Sequence, residues 1–277
     1  MNYGGFAENE KAMNGDGIVF TDTSLYDAGF YGFMQQRLFD RLTLNAGLRY
    51  QKHEVYGGEW IPSGGFAFNI AENTTWKTSI AKGFRSPTIQ EFFMWNHNPN
   101  LSPERIMNYE TGILQSFYDK KIRLELTGFI INGDNLIVNV PMQGLQNAGE
   151  VANKGIEISA NSNMVRDLNL NLTYAFIGMK SPVYATPEHH LYISSDYRFK
   201  KIIFNASAEY INGLDSDPSA GISEETYTLI NAKITYHALK FAEFFLSAEN
   251  ILDTEYETLK YYTMPGITLF GGIKFKI

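Results

Sequence analysis

Residues 81–112 read AKGFRSPTIQEFFMWNHNPNLSPERIMNYETG and connect two strand-like segments through an irregular stretch. The connection has about twenty residues, and a loop of that length without regular structure is usually functional or disordered. It contains Arg85, Trp95 and His97, side chains that a plain connection does not need. The sequence therefore predicts a functional loop between two β-strands.

Alternation of apolar and polar residues dominates the rest of the chain. From Leu42 to Tyr50, every second residue is apolar or aromatic, and the residues between them are polar or glycine. Such alternation predicts a strand with one apolar and one polar face. About fourteen strands are predicted in this way, with no comparable helical stretch. Further clear runs begin at Ile122, Leu168, Ile202 and Ile267.

The connections between these strands alternate between short and long. Short periplasmic turns and longer extracellular loops are typical of outer-membrane barrels. The strands, mostly of about 11–14 residues, exceed the usual length in soluble sheets and suffice to cross a bilayer. The predicted fold is therefore an all-β, antiparallel, transmembrane β-barrel. Short turns are predicted near residues 40, 72–73, 119–120, 165–166, 200 and 238–239, and longer loops at 9–27, 84–104, 134–148, 179–187, 213–224 and 253–265.

Composition excludes several classes of protein. The chain has 277 residues, no cysteine and a formal charge of −7. The acidic balance argues against a nucleic-acid binder, and the lack of cysteine excludes disulfides and thiolate metal sites. The sequence has no motif of a hydrolase, a phosphate loop or a dinucleotide site, so we expect neither an enzyme nor a cofactor. The N-terminus has no signal-peptide pattern.

The loop and its flanks resemble the signature of TonB-dependent outer-membrane receptors. Residues 83–87 read Gly-Phe-Arg-Ser-Pro, residues 98–104 read Asn-Pro-Asn-Leu-Ser-Pro-Glu, and residues 108–112 read Asn-Tyr-Glu-Thr-Gly, in the family's order. Residues 146–149, 154–157, 186–189, 249–256 and 264–266 resemble later family motifs, so the resemblance covers almost the whole chain.

The resemblance implies a barrel of twenty-two strands around an N-terminal plug. The whole chain, residues 1–277, would then be the C-terminal portion of such a barrel, with the plug, the first strands and the TonB-binding segment absent. It also implies an outer-membrane receptor that imports a scarce, bulky nutrient such as an iron–siderophore chelate, haem or cobalamin. The expected partners are outer-membrane lipid, a small-molecule ligand such as a metal chelate, and the TonB system through the missing N-terminal part.

Two sets of candidate functional residues follow. The first is the exposed aromatic, thioether and charged cluster of the long loop, which suits a ligand arriving from outside, although the same side chains would also serve to pack the loop onto the barrel rim. It comprises Arg85, Glu91, Phe92, Phe93, Met94, Trp95 and His97. The second set shares the polar face of consecutive strands and would face the lumen and the plug or a substrate. It comprises Glu110, Arg123, Glu125 and Glu157.

Other interpretations remain open at this point. Arg85 and Glu104 bracket the long loop and are expected to pair. His189 and His190 point to opposite faces of a strand, so a metal site there is disfavoured and no metal is expected. The loop with Asp215, Asp217, Glu224 and Glu225 is either a Ca²⁺ site or a solvated acidic loop. A passive porin of about fourteen strands is the alternative to the receptor.

Overall fold

The computed structural model describes residues 2–12, 23–93, 97–140, 142–180, 183–217 and 223–275. The fourteen-stranded sheet confirms the predicted number of strands and their antiparallel, consecutive order. Its strands in order are β1 (Asn2–Ala12), β2 (Thr23–Leu38), β3 (Leu42–His53), β4 (Gly57–Ala71), β5 (Thr74–Arg85), β6 (Glu104–Phe117), β7 (Ile122–Val140), β8 (Gly144–Ser162), β9 (Leu168–Met179), β10 (His189–Phe199), β11 (Ile202–Asp215), β12 (Glu224–Leu239), β13 (Ala242–Glu249) and β16 (Thr268–Phe275).

Two small elements lie in the long connections. The hairpin of β14 (Glu257–Leu259) and β15 (Tyr262–Thr263) precedes β16, and helix α1 (Ile89–Phe93) lies between β5 and β6. The helix was not predicted. The loop predicted at 134–148 is wrong in extent, because β7 runs on to Val140 and β8 begins at Gly144. Among the described residues, no helix is long and apolar enough to cross a membrane.

The chain divides into two compact units. The first unit comprises Met1–Ile70, Thr75–Thr111 and Phe129–Asn153, and the second comprises Ala71–Thr74, Gly112–Gly128 and Lys154–Ile277.

In the first unit, large apolar side chains are exposed on one face of the sheet, and several polar side chains are buried on the other. Phe30, Tyr50 and Trp60 lie on one face of β2, β3 and β4 as a cluster, with ring centroids 4.6–6.0 Å apart. Phe30 and Trp60 are about half exposed. On the opposite face, Gln51 and Glu59 are 4% and 6% exposed. This inversion of the usual distribution is what a strand between lipid and a polar interior requires.

The second unit repeats the pattern over β9 to β13 and β16. Its apolar face carries rows of cross-strand neighbours such as Phe204 with Ile234, and Tyr236 with Phe244. The polar face is linked by side-chain hydrogen bonds, because the Asn171 amide donates to Ser194 at 3.3 Å and the Asn231 amide donates to Ser207 at 3.4 Å. A cavity of about 440 Å³ opens on this polar face of β10 to β13.

Adjacent glycines of β4 provide a matched test of the sheet. A Cβ on Gly65 would lie 2.6 Å from the Thr78 carbonyl oxygen, whereas a Cβ on Gly64 would meet only the Asn45 carbonyl oxygen at 3.6 Å. A backbone carbonyl cannot turn away from a new methyl group as a flexible side chain can. We therefore expect Gly65→Ala to lower the free energy of unfolding by about 1–3 kcal/mol. We expect Gly64→Ala to change it by less than about 0.5 kcal/mol. Denaturant midpoints measured in detergent would check both, and equal midpoints would contradict the predicted close contact.

Candidate functional site

Arg85 organises the long loop from the last position of β5. Its guanidinium donates to both oxygens of Glu91 at 2.9 and 3.1 Å and to both oxygens of Glu104 at 2.7 and 2.8 Å. Glu104 also accepts a hydrogen bond from the Ile137 backbone N–H at 2.8 Å, which attaches the cluster to β7. The predicted Arg85–Glu104 pair is therefore confirmed, and Glu91 is a second carboxylate that spacing alone did not reveal. A planar guanidinium has enough donors in the right geometry to bind two carboxylates with two hydrogen bonds each.

Helix α1 begins with a capping box. The Thr88 hydroxyl accepts from the Glu91 backbone N–H at 3.2 Å, and the Glu91 carboxylate accepts from the Thr88 backbone N–H at 2.7 Å. Each side chain thus satisfies a backbone donor that the helix start leaves unpaired. Thr-x-x-Glu directly after Pro87 is a recognisable helix-start signal, and sequence analysis missed it because so short a helix has no apolar periodicity.

The inner side of the loop is packed on Phe92. This ring is fully buried against Leu25 and Leu101, and the ring of His53 lies 6.0 Å away. His53 in turn stacks on Tyr56 at 4.3 Å. Phe92 therefore packs the loop in this conformation, as the packing alternative describes. Its assignment to ligand binding stays a prediction.

Two asparagines fix the second half of the loop to β8. The Asn98 amide donates to the Leu145 carbonyl at 2.9 Å, and its oxygen accepts from the Asn100 N–H at 2.9 Å. Asn147 exchanges two hydrogen bonds of 2.8 Å with the backbone of Ser102. The Asn-Pro-Asn-Leu and Asn-Ala-Gly motifs thus have a structural role, which is to hold the loop in one position.

The remaining candidate residues of the loop differ in their accessibility. His97 is exposed, and Glu91 and Phe93 are partly buried. Met94 and Trp95 lie outside the described residues. The loop therefore presents His97 to solvent, whereas Arg85 and Glu91 are hydrogen-bonded to each other.

A second ion cluster lies next to the loop and was not predicted. Glu59 on β4 is 7% exposed at its side chain and accepts two hydrogen bonds from Arg105 at 3.0 and 3.1 Å. Lys82 on β5 donates to the same carboxylate. A buried carboxylate with two cations joins three consecutive strands at the level where the loop begins, and so provides a rigid base for it.

The polar-face candidates are placed on three strands. Glu110 on β6 accepts from Ser79 at 3.3 Å and from Asn108 at 2.5 Å. Arg123 and Glu125 alternate on β7 with the exposed Leu124 and Leu126. Glu157 on β8 is exposed.

Two aspartates of the acidic loop of the second unit are buried, whereas its Glu224 is exposed. Asp215 and Asp217 are 8% and 6% exposed, and the Lys260 ammonium donates to Asp217 at 2.7 Å. The hydrogen bond to Asp217 raises the pKa of Lys260, so the ammonium remains charged. A lysine thus satisfies charge that a Ca²⁺ ion would otherwise balance. No cluster of metal-ligating side chains is found in the part of the chain that the structure describes.

The adjacent histidines also have separate partners. His189 bonds to the Tyr174 hydroxyl at 2.9 Å, whereas His190 bonds to Glu209 at 2.8 Å. Their opposite orientation agrees with the strand geometry that disfavoured a shared ion.

Asn250 holds the loop between β13 and β16 in place. Its buried amide donates to the carbonyls of Thr254 and Pro265 at 2.9 and 3.1 Å and accepts from the Thr254 N–H at 2.9 Å. We expect Asn250→Ala to cost about 1–3 kcal/mol, because buried backbone groups lose their partners. Hydrogen exchange of residues 253–265 should accelerate, and Asn163→Ala, at an exposed turn, should leave it unchanged. Unaltered exchange in Asn250→Ala would contradict this role.

The carboxylate of Glu91 makes the loop sensitive to acid. Burial by itself would raise the pKa of Glu91, but hydrogen bonds from Arg85 and from the Thr88 backbone outweigh it, so the pKa lies below its ordinary value of 4.5. The stabilisation is therefore complete above that value and is lost as the pH falls through the lowered pKa. We expect hydrogen exchange of residues 86–103, corrected for intrinsic rates, to accelerate in that range. Glu91→Gln should remove most of this step, and an unchanged step in that variant would contradict the assignment.

An antiparallel sheet with an exposed apolar face, a hydrogen-bonded polar face and alternating short and long connections defines a multi-pass outer-membrane β-barrel protein. Within that class, the chain belongs to the TonB-dependent receptor-like β-barrel family, whose model matches residues 2–251. The family consists of non-enzymatic transporters of the outer membrane, which confirms the predicted location and the absence of an enzymatic activity.

Individual relatives are distant and longer. The vitamin B12 transporter BtuB of Vibrio cholerae serotype O1 is 24% identical over 230 residues, which cover 79% of this chain and 37% of that protein. BtuB of Vibrio vulnificus is 23% identical over 252 residues, 85% of this chain and 40% of that protein. The crystal structure of the siderophore receptor PirA from Pseudomonas aeruginosa superimposes with a TM-score of 0.80 at 18% identity, over 99% of this chain and 50% of that chain. This chain thus spans half or less of the length of these proteins.

Proposed function

We propose that this chain supplies the barrel strands and the capture loop of an energised importer for a bulky nutrient of the metal-chelate or corrinoid class. The observation that carries the proposal is the loop at residues 86–103. It is held by Arg85 between two carboxylates, by the buried Phe92 and by Asn98 and Asn147, and it leaves His97 exposed. Preorganising a loop in this way lowers the entropic cost of binding.

The charge of the long connections narrows the ligand class. Between residues 180 and 267 they carry only two basic side chains, Lys180 and Lys260, and Lys260 is paired with Asp217. A polyanionic ferric tricatecholate would meet net repulsion there, whereas a neutral ferric trihydroxamate or a corrinoid would not. We therefore propose a neutral or cationic ligand. The acidic residues of these connections and of the strand ends beside them are Glu188, Asp215, Asp217, Glu224, Glu225, Asp253, Glu255 and Glu257.

The polar-face residues have a proposed role on the inside of the barrel. Glu110, Arg123, Glu125 and Glu157 would face the lumen and contact a plug domain, and the TonB system would act on that plug to release the ligand. Charged side chains on the lipid face cost about 2–4 kcal/mol for a basic residue at the midplane, so an inward orientation is favoured.

Uptake in cells tests the proposal. Cells that express the gene encoding this chain would be given labelled cyanocobalamin, a neutral ferric trihydroxamate or a ferric tricatecholate, with and without a functional TonB. We expect saturable uptake of one of the first two ligands, and its loss without TonB. Uptake that is unsaturable and independent of TonB would instead support the passive porin. Preference for the tricatecholate would contradict the inferred ligand charge while leaving the importer intact.

A further inference from the structure

Four short turns of the second unit form one continuous rim, and a fifth, at residues 71–74, carries Glu72 and adjoins it through the Ser116 N–H, which donates to the Asn73 carbonyl at 2.8 Å. The four comprise residues 117–121, 163–167, 199–201 and 238–241, and are called the turn rim below. Successive hairpins of an antiparallel sheet place their turns at the same end, and backbone hydrogen bonds join neighbouring turns here. The Asn163 N–H donates to the Lys121 carbonyl at 2.9 Å, the Arg198 N–H to the Asp167 carbonyl at 2.8 Å, and the His237 N–H to the Lys201 carbonyl at 2.8 Å.

The turn rim is basic although the chain as a whole is acidic. Its two carboxylates are those of Asp119 and Asp167, and Arg166 pairs with Asp167 at 3.4 Å. Within the described residues, none of the lysines of the rim forms an ion pair. The exposed basic residues are Lys120, Lys121, Arg166, Lys200, Lys201 and Lys240.

The opposite end of the same unit has the opposite charge. Its long connections carry carboxylates, and the basic side chain of Lys260 forms an ion pair with Asp217. The separation therefore indicates that the two ends face different electrostatic environments.

Aromatic side chains lie directly beside the turn rim on the apolar face. Tyr197 and Phe199 near the end of β10, Tyr236 near the end of β12, and Phe241 in the following turn are 40–56% exposed. The Lys200 ammonium lies 5.3 Å from the centroid of the Phe199 ring. Amphipathic aromatic rings prefer the level of lipid headgroups, so ammonium groups just beyond them lie at the level of lipid phosphates.

We propose that the turn rim binds the phosphate groups of anionic phospholipids in the periplasmic leaflet of the outer membrane. Short turns of outer-membrane barrels face the periplasm, which places the rim at that leaflet. Lysines without an ion-pair partner are attracted to an anionic membrane surface, and the attraction decays within a Debye length. The proposal depends on the membrane location of the chain and not on the ligand that it transports.

Lipid selectivity measures this binding directly. The native protein that contains this chain would be reconstituted in phosphatidylcholine bilayers with spin-labelled phosphatidylglycerol or phosphatidylcholine, and the motionally restricted fraction of each lipid compared. We expect a several-fold preference for phosphatidylglycerol that declines as ionic strength rises. The variant with Lys120→Gln, Lys121→Gln, Lys200→Gln and Lys201→Gln should lose most of it.

Matched variants distinguish an effect of the rim lysines from an effect of the total charge of the protein. Lys200→Gln with Lys201→Gln should lower the preference, whereas Lys52→Gln with Lys154→Gln, which removes the same charge from exposed strand positions, should not. The variant with Lys120→Arg, Lys121→Arg, Lys200→Arg and Lys201→Arg should retain the preference for phosphatidylglycerol. Equal restriction of both lipids by the native protein would overturn the proposal, as would a preference that persists at high ionic strength or in the fourfold glutamine variant. If the fourfold glutamine variant does not insert into the bilayer, the proposal is tested by measuring the lipid preference of the native protein at increasing ionic strength.

Discussion

Arg85→Ala is expected to release the loop at residues 86–103 and to weaken ligand binding by about tenfold to a hundredfold. The substitution removes four hydrogen bonds to Glu91 and Glu104 and leaves two carboxylates facing each other without their cation. Because Arg85 is 44% exposed, water screens part of this repulsion. A loss of about 1–3 kcal/mol of loop stability follows, less than for a buried pair.

The control variants distinguish charge from geometry. Arg85→Lys retains the charge but not the planar fork, so we expect an intermediate loss of binding. Arg37→Ala removes an arginine whose 3.7 Å pair with Asp40 lies on an exposed turn, and it should leave binding and loop exchange unchanged. Hydrogen exchange of residues 86–103 and ligand titration of the same samples are the measurements. Native exchange and native affinity in Arg85→Ala would show that the cluster does not organise the loop.

Phe92→Ala is expected to have the largest effect on stability. The ring is fully buried, and its removal leaves a cavity between Leu25 and Leu101. Truncation of a buried phenylalanine typically costs about 3–5 kcal/mol. Since this packing attaches the loop to β2, the loss should appear as local release of the loop, with faster cleavage by a protease within residues 86–103.

Phe93→Ala is the matched control for this prediction. Phe93 belongs to the same helix, but its ring is only partly buried. Its truncation should therefore cost clearly less than that of Phe92. Equal proteolysis of the two variants would indicate that both rings contribute alike and that Phe92 is not the anchor of the loop.

The face of the sheet to which each residue of a strand points could be predicted from the sequence. Leu42 to Tyr50 alternate because side chains of a strand point to opposite faces, and this local geometry does not depend on which strands are neighbours. The prediction of the candidate site was less complete. Helix α1 was missed because one helical turn has no periodicity to detect, although Thr88 and Glu91 have the spacing of a capping box.

The sequence by itself determined the class of fold, the alternation of short turns and long loops, and the family, since each is written in local spacing or in a contiguous motif. Only the tertiary structure decided which side chains of the long loop are buried. Phe92 and Phe93 are adjacent in sequence, yet Phe92 is fully buried between Leu25 and Leu101, whereas Phe93 packs against the same cluster and stays only partly buried. Lys260 and Asp217 likewise meet through two loops that return to the same place. Such contacts depend on the register of whole strands and on the path of the chain between them, and no local pattern of residues encodes either.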